Sequence, residues 1–408
     1  MEMKRTDGPL HAVWPLRLTI FALGVVLASG PSCSPPEKNE DQDNANSGQI
    51  QVGELRSEPF RDGQNSLPAK PSQLLKITLP TRCLTLPPGG HWPWAMRRMP
   101  DGRTKLLFTQ RESDQSLITH GVVHSLPDGV KDQGFVLDSQ GDPALSLHSA
   151  AFSPDGTLLV VQGYTSKTGL ALYLCDATTG KTKSIIFDGD LRKCNHVIFS
   201  PDGTLIACNG IEKQTAAIYD VAKGEWGQHK FRQQQFSVEL IAFSPDSKIL
   251  ATAGGLGEIN LWDIKSGRLV RTVTDKPEGA LIGMAFSPDG RLLAVGVCMG
   301  EDRCDILLYD PSTGKQVGAL VGHTQMMNFA FRKDSRLLVS SSQDGTLKFW
   351  DVRQRKMIHE IVFTGHMYCV AFSPDDRWLI AEGVMGDPDG VIVFDMHGKL
   401  KEKAPAKR

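Results

Sequence analysis

Three side chains in one stretch have the types that nucleophilic catalysis uses: Ser340 as a nucleophile, His323 as a base and Asp344 as an orienting carboxylate. Their setting argues against that chemistry. An acyl-transfer serine sits on a strained turn beside oxyanion donors, and no GxSxG turn occurs in the chain. Other ionisable candidates are His148 and His196, at corresponding places near the starts of two strands, with Asn328 at a similar place further on. Two histidines in two repeats make no site. The 11 histidines and 8 cysteines form no CxxC, no HExxH and no short-spaced ligand pair, so no metal and no cofactor are expected. Cys298 and Cys304 flank the loop MGEDR, which permits a hairpin disulfide in an oxidising compartment. Cys194 and Cys208 lie on adjacent strands in a register the sequence leaves open, while Cys83, Cys175 and Cys369 read as core residues.

The elements that must position these residues recur along the chain. In residues 322–351, GHTQMMNFAFRKDSRLLVSSSQDGTLKFWD, the runs NFAF, RLLVSS and TLKFWD are short, apolar and β-branched, with turn residues at KDS and QDG between them. This unit opens with Gly322-His323 and closes with Trp350-Asp351. In that it resembles the WD-repeat family. The phenylalanines ending first strands fall at 152, 199, 243, 286, 331 and 372, and the aspartates ending third strands at 176, 220, 263, 310, 351 and 395. The mean spacing is about 44 residues, which suits WD repeats and neither ankyrin nor leucine-rich ones. Ser-Pro-Asp follows five of the six phenylalanines, where Pro presets φ, Asp bonds back to the backbone and Gly takes the left-handed position.

A degenerate first copy lies upstream, with Gly90-His91, Pro100-Asp101-Gly102, KLLFTQ, LITHGVVHSL and GFVLD in repeat order. The expected fold is therefore all-β, a seven-bladed propeller of four-stranded antiparallel blades. The seventh repeat runs out after VIVFD, and CLTLP at 83–87 has no blade of its own, so an N-terminal strand is expected to complete the last blade and remove both open sheet edges. The resemblance implies that His323, Ser340, Asp344 and Trp350 form the family's structural tetrad, a hydrogen-bond chain tying a d-to-a connection to strands b and c. The fourth repeat keeps only Thr252 and Trp262, and the seventh has His366 with Phe394 in place of tryptophan.

Residues 1–32 read as a signal peptide: Lys4 and Arg5 precede the apolar run LTIFALGVVLA and the small residues Ser29, Gly30 and Ser32. Eleven apolar residues are too short for a permanent span. Cys33 resembles the lipidated cysteine of a bacterial lipoprotein, and cleavage after Gly30 is the other route, so the expected location is the periplasm or cell envelope, with an N-terminal anchor as the one membrane contact. Residues 33–73 are polar and rich in Pro and Gly, an expected disordered tether with a reach of roughly 35 Å. Residues 74–398 are assigned to the propeller and 399–408 to a basic, solvated tail. The compact FSPDG repeats resemble bacterial WD-repeat proteins.

A formal charge of -1 gives no reason to expect nucleic acid. Insertions on a rigid scaffold are where binding surfaces diversify, and three b-to-c loops are longer than the rest: 163–169, 298–304 and 382–390. They nominate Tyr164, Lys167, Glu301, Asp302, Arg303 and Asp387 for contact with an unidentified protein partner, with Met326, Met327 and Tyr368 as the apolar part. The reading is a monomeric, non-catalytic scaffold. Two other classes stay open: a lactonase or oxidoreductase with its site in the central channel, and an envelope polysaccharide-binding module.

Overall fold

The computed structural model describes strand backbone between Cys83 and Lys131 and nearly all of residues 146–396, leaving out 166–168, 187–193, 211–214, 233–237, 301 and 384–389. The expected signal peptide, Cys33, the tether and the basic tail lie outside the described residues. Blades are numbered after their repeats, and strands are lettered a to d in chain order. Blade two comprises Ser146–Phe152, Leu158–Thr165, Gly169–Asp176 and Thr182–Ile186, and blade three Cys194–Phe199, Leu205–Gly210, Thr215–Asp220 and Glu225–Arg232. Blade four is Val238–Phe243, Ile249–Gly254, Glu258–Asp263 and Leu269–Thr272, and blade five is Ala280–Phe286, Leu293–Cys298, Cys304–Asp310 and Lys315–His323. Blade six is Met327–Phe331, Leu337–Ser342, Thr346–Asp351 and Lys356–Val362. Blade seven has Met367–Phe372, Trp378–Gly383 and Gly390–Asp395, and its fourth strand is the N-terminal Cys83–Thr85. There Cys83 lies opposite Phe394 and Thr85 opposite Ile392, antiparallel, so the closing strand falls where the sequence expects it.

The expected count of seven blades is corrected to six packed blades, two to seven. The first repeat pairs its backbone into a four-stranded sheet, His91–Arg98, Thr104–Arg111, Thr119–Leu126 and Val130–Lys131, but its side chains are outside the described residues. The physical reason is visible in the pairing. Pro93 cannot donate to the ladder, the register shifts on both sides of it, and the last strand holds on at only two pairs, His124 with Lys131 and Ser125 with Val130.

Strands a of successive blades touch one another, which makes them innermost. Strands b and c are buried on both faces, so they read as nearly continuous apolar runs rather than as alternating ones. In strand c of blade five, Ile306 and Leu308 face blade six while Leu307 and Tyr309 face blade four. The same alternation sends Val339, Leu347 and Phe349 of blade six against Val370, Leu379 and Phe394 of blade seven. From blade two to blade seven the core is thus a succession of slabs between neighbouring blades.

The a-to-b turns close the lower end. In each Ser-Pro-Asp turn the serine hydroxyl donates to the aspartate, at 2.5 Å for Ser153–Asp155 and 2.6 Å for Ser200–Asp202, and accepts the N–H five residues on. The residue after the aspartate is left-handed, and from blade three onward it reaches the preceding blade. Gly203, at φ +76°, faces Pro154 so closely that a Cβ would lie 3.3 Å from its ring. Where serine replaces glycine, the hydroxyl does the bridging: Ser247 accepts from Asp202 N–H at 3.1 Å and Ser335 from Asp289 N–H at 2.9 Å. Asp376 uses its carboxylate in the same way on Lys333 N–H at 3.1 Å.

Candidate functional site

His323, the last residue of strand d in blade five, reaches into blade six. Trp350 Nε1–H donates to Ser340 Oγ at 2.8 Å, Ser340 Oγ lies 2.7 Å from His323 Nε2, and His323 Nδ1 lies 2.8 Å from Asp344 Oδ2. A carboxylate can only accept, so Nδ1 carries the proton and the serine hydroxyl completes the chain toward Nε2. Asp344 also accepts from Thr324 N–H at 3.2 Å and from the Thr346 hydroxyl at 2.6 Å. Burial alone would raise its pKa, but the hydrogen bonds from His323, Thr346 and the Thr324 N–H hold it well below the ordinary carboxylate range. Ser340 is 0% exposed and its oxygen is engaged on both sides, so no substrate carbonyl reaches it. The trio has the order of a hydrolase triad and the placement of a brace between two blades.

The upper end, formed by the b-to-c and d-to-a connections, separates the residues nominated from sequence. Side chains of Tyr164, Lys167, Glu301 and Asp387 lie outside the described residues. Asp302 and Arg303 are exposed on the blade-five loop, which the structure closes with a Cys298–Cys304 disulfide across directly opposed residues. Arg303 is committed, since Nε and Nη2 both donate to Asp305 Oδ2, at 2.8 and 2.7 Å, and Asp305 is buried. Met326 and Tyr368 are half-buried at the surface, with the Tyr368 ring 6.2 Å from exposed His366. Met327 does not join them. It is 6% exposed and packs between blades five and six with Ile282, Phe329 and Trp350, because strand a begins there and turns it inward. Cys194 stands opposite Gly210 and Cys208 opposite Val197, so those two cysteines are not cross-strand neighbours.

Three segments of the chain, 228–263, 314–351 and 357–393, match the family described as WD domain, G-beta repeat. Each begins in the outer strand of one blade and ends in strand c of the next, and the second contains the whole His323–Trp350 network. These three segments are similar to WD40 repeats and together span less than half of the chain. The chain is 28% identical over 165 residues to yeast U3 small nucleolar RNA-associated protein 12, covering 36% of this chain and 17% of that protein. It is 26% identical over 177 residues to Arabidopsis thaliana Periodic tryptophan protein 2, covering 41% and 19%, and 29% identical over 158 residues to Caenorhabditis elegans Transcription factor unc-37, covering 38% and 24%. The match thus spans less than a quarter of each of these relatives. All three are eukaryotic, and they lend no support to a bacterial type or an exported one.

Among the blades that hold the matched segments the brace is graded. Blade four keeps one link, Trp262 Nε1–H to Thr252 Oγ1 at 2.9 Å. In blade seven Phe394 fills the tryptophan position as a buried apolar residue, and His366 turns its Nδ1 to the Gln343 carbonyl instead. Among the described residues no group of three or more His, Cys, Asp and Glu is placed to hold a metal.

Two residues at the inner end escape sequence reasoning. The register of strand a in blade four shifts between Val238 and Leu240, which puts Glu239 on a bulge, and burial raises its carboxyl pKa. Asn209, buried in strand b of blade three, accepts His196 N–H at 2.9 Å and donates to the Val238 and Glu239 carbonyls at 3.0 and 2.9 Å. Burial pushes the His196 imidazole down to about 4. A bulge leaves no mark in an alternating pattern, and the one signal available for Glu239 was an acidic residue at the place where other repeats carry histidine. The side chain of His148 lies outside the described residues.

Proposed function

We propose that this WD-repeat propeller is a non-catalytic scaffold that binds a protein partner at its upper end, through the blade-five loop bearing Asp302 and Arg303 and the neighbouring surface of Met326, His366 and Tyr368. The observation that carries this reading is the burial of Ser340, which removes the most reactive-looking trio from catalysis and leaves the exposed upper loops as the varied surface. WD-repeat propellers are typical protein-interaction scaffolds, which supports a protein partner in general. A cell-envelope setting rests on residues 1–32 and Cys33 alone, by their signal-peptide pattern.

The test is affinity capture with the full chain, compared with a folded Asp302→Lys, Tyr368→Ala variant. Recovery of one stoichiometric protein by the first and its loss with the second supports the scaffold. Recovery of an identical set by both sinks the assignment of the surface.

A second reading has one observation in its favour. His196 and Glu239 stand on neighbouring inner strands whose backbones are joined through Asn209, and burial favours the uncharged form of each, a protonated acid and an unprotonated base. A channel enzyme would lose turnover in Glu239→Gln with its melting temperature unchanged, and screening lactones and alcohols as substrates checks it.

A further inference from the structure

Cys298 and Cys304 are an opposed pair at the upper end of blade five, with Cα atoms 4.0 Å apart, and their two sulfurs have different surroundings. Cys304 is 2% exposed and belongs to the slab between blades five and six, with Ile282, Met327 and Trp350, and on its other side it pairs with His323 of the brace. Cys298 is half-buried and stands at the rim of the strand. An incoming thiolate therefore meets Cys298 first, and Cys304 is the leaving sulfur.

The bridge is not what holds the blade. A crosslink stabilises more as the loop it closes lengthens, and this one spans a sequence separation of 6. Strands b and c stay paired from Leu293–Tyr309 to Cys298–Cys304, and Met299 N–H donates to the Arg303 carbonyl at 2.7 Å. As a thiol, Cys304 is a small apolar side chain in an apolar slab. Both redox states suit the same blade, and they differ in how tightly the exposed loop is held. Its remaining side-chain anchors include the packing of Met299 against the slab between blades four and five and the contact of Arg303 with Asp305, whose Oδ1 is buried without a partner.

We infer that Cys298 is a thiol–disulfide exchange site whose substrate is a dithiol, and that the state of the Cys298–Cys304 bridge sets the mobility of the loop carrying Asp302 and Arg303. A thiolate of the dithiol attacks Cys298 Sγ, a mixed disulfide forms, and the Cys304 thiolate leaves and takes up a proton. The second thiolate of the dithiol then attacks its own bound sulfur, closing the reagent's disulfide and releasing Cys298. The dithiol loses two electrons and the protein gains them. An oxidising compartment keeps the loop clamped and a reducing one frees it. The inference does not depend on the scaffold reading, because it is read on the sulfurs themselves.

The experiment treats the oxidised full chain with dithiothreitol in the absence of denaturant, alkylates the new thiols, and maps them by peptide mass. Hydrogen exchange at Gly300, Asp302 and Arg303 is compared before and after. The expected result is two new thiols, at 298 and 304, with loop exchange at least tenfold faster and exchange in Ile306–Tyr309 unchanged within twofold. With oxidised glutathione, Cys304→Ser should form a mixed disulfide at Cys298 at least tenfold faster than Cys298→Ser does at Cys304. A bridge that resists reduction until the chain unfolds, loop exchange unaltered by reduction, or faster reaction at Cys304 overturns the inference. Should either variant fail to fold, the dithiothreitol experiment on the unaltered chain decides alone.

Discussion

The two ends of this propeller tie their strands together by different means. At the lower end one solution repeats. Ser153, Ser200, Ser244, Ser287 and Ser373 each donate to the aspartate two residues on, and from blade three onward the left-handed residue that follows touches the blade before. At the upper end the described blades differ. Blade five has a disulfide, blade six a four-residue polar brace, blade four a single Trp262–Thr252 bond, and blade seven an apolar phenylalanine. Uniformity marks the end that only has to hold, and variation marks the end free to acquire a partner. Brace and loop also share one slab, since Cys304 and Trp350 pack together between blades five and six.

The largest effect that could break this comparison comes from the brace. Trp350→Ala empties a fully buried position and should cost about 4 kcal/mol, read as a shift in denaturant midpoint, whereas Trp262→Phe in blade four removes one hydrogen bond and should cost about 1 kcal/mol. Equal losses would mean that the two blades are braced alike. Next is Asp344→Asn, which should cost about 2 kcal/mol near neutral pH. The Asp344 pKa in the folded chain is below its ordinary value of 3.8, so its stabilisation is complete above about pH 4 and disappears as the pH falls through the folded value. The variant should therefore lose stability less steeply below about pH 4 than the native chain. An acid limb of unchanged slope would contradict the assigned hydrogen bonds.

Much of this was legible in the sequence, and the limits have physical causes. Repeat spacing, Ser-Pro-Asp turns, the closing strand and the positions of His323, Ser340, Asp344 and Trp350 are readable because each depends on local turn chemistry or on a signature at fixed spacing. Blade count was not, because the first repeat keeps turns while Pro93 interrupts its inner strand. Met327 was misplaced because MM reads the same whether the strand begins at the first or the second methionine, and one residue decides between surface and slab. Glu239 was hidden by a bulge, and Asp305 by an exposed-looking loop sequence whose aspartate lies within the strand.

Smaller effects sharpen the contrast. Ser335→Ala at the lower end loses the bond to Asp289 N–H and leaves a Cβ at φ 59°, for about 1 kcal/mol, read as a lower melting temperature. Asp302→Lys at the upper end should change stability by less than about 0.5 kcal/mol. A larger loss there would show that the loop is structural, in conflict with its role as a free surface.

The most direct measurement is a hydrogen-exchange footprint of the full chain with its captured partner bound. Protection confined to Met299, Gly300, Asp302 and Arg303, together with Thr324–Met326 and His366–Tyr368, is the result expected from a scaffold that binds at its varied end. Protection at the lower turns instead, around Ser153–Thr157 or Ser200–Thr204, would contradict it.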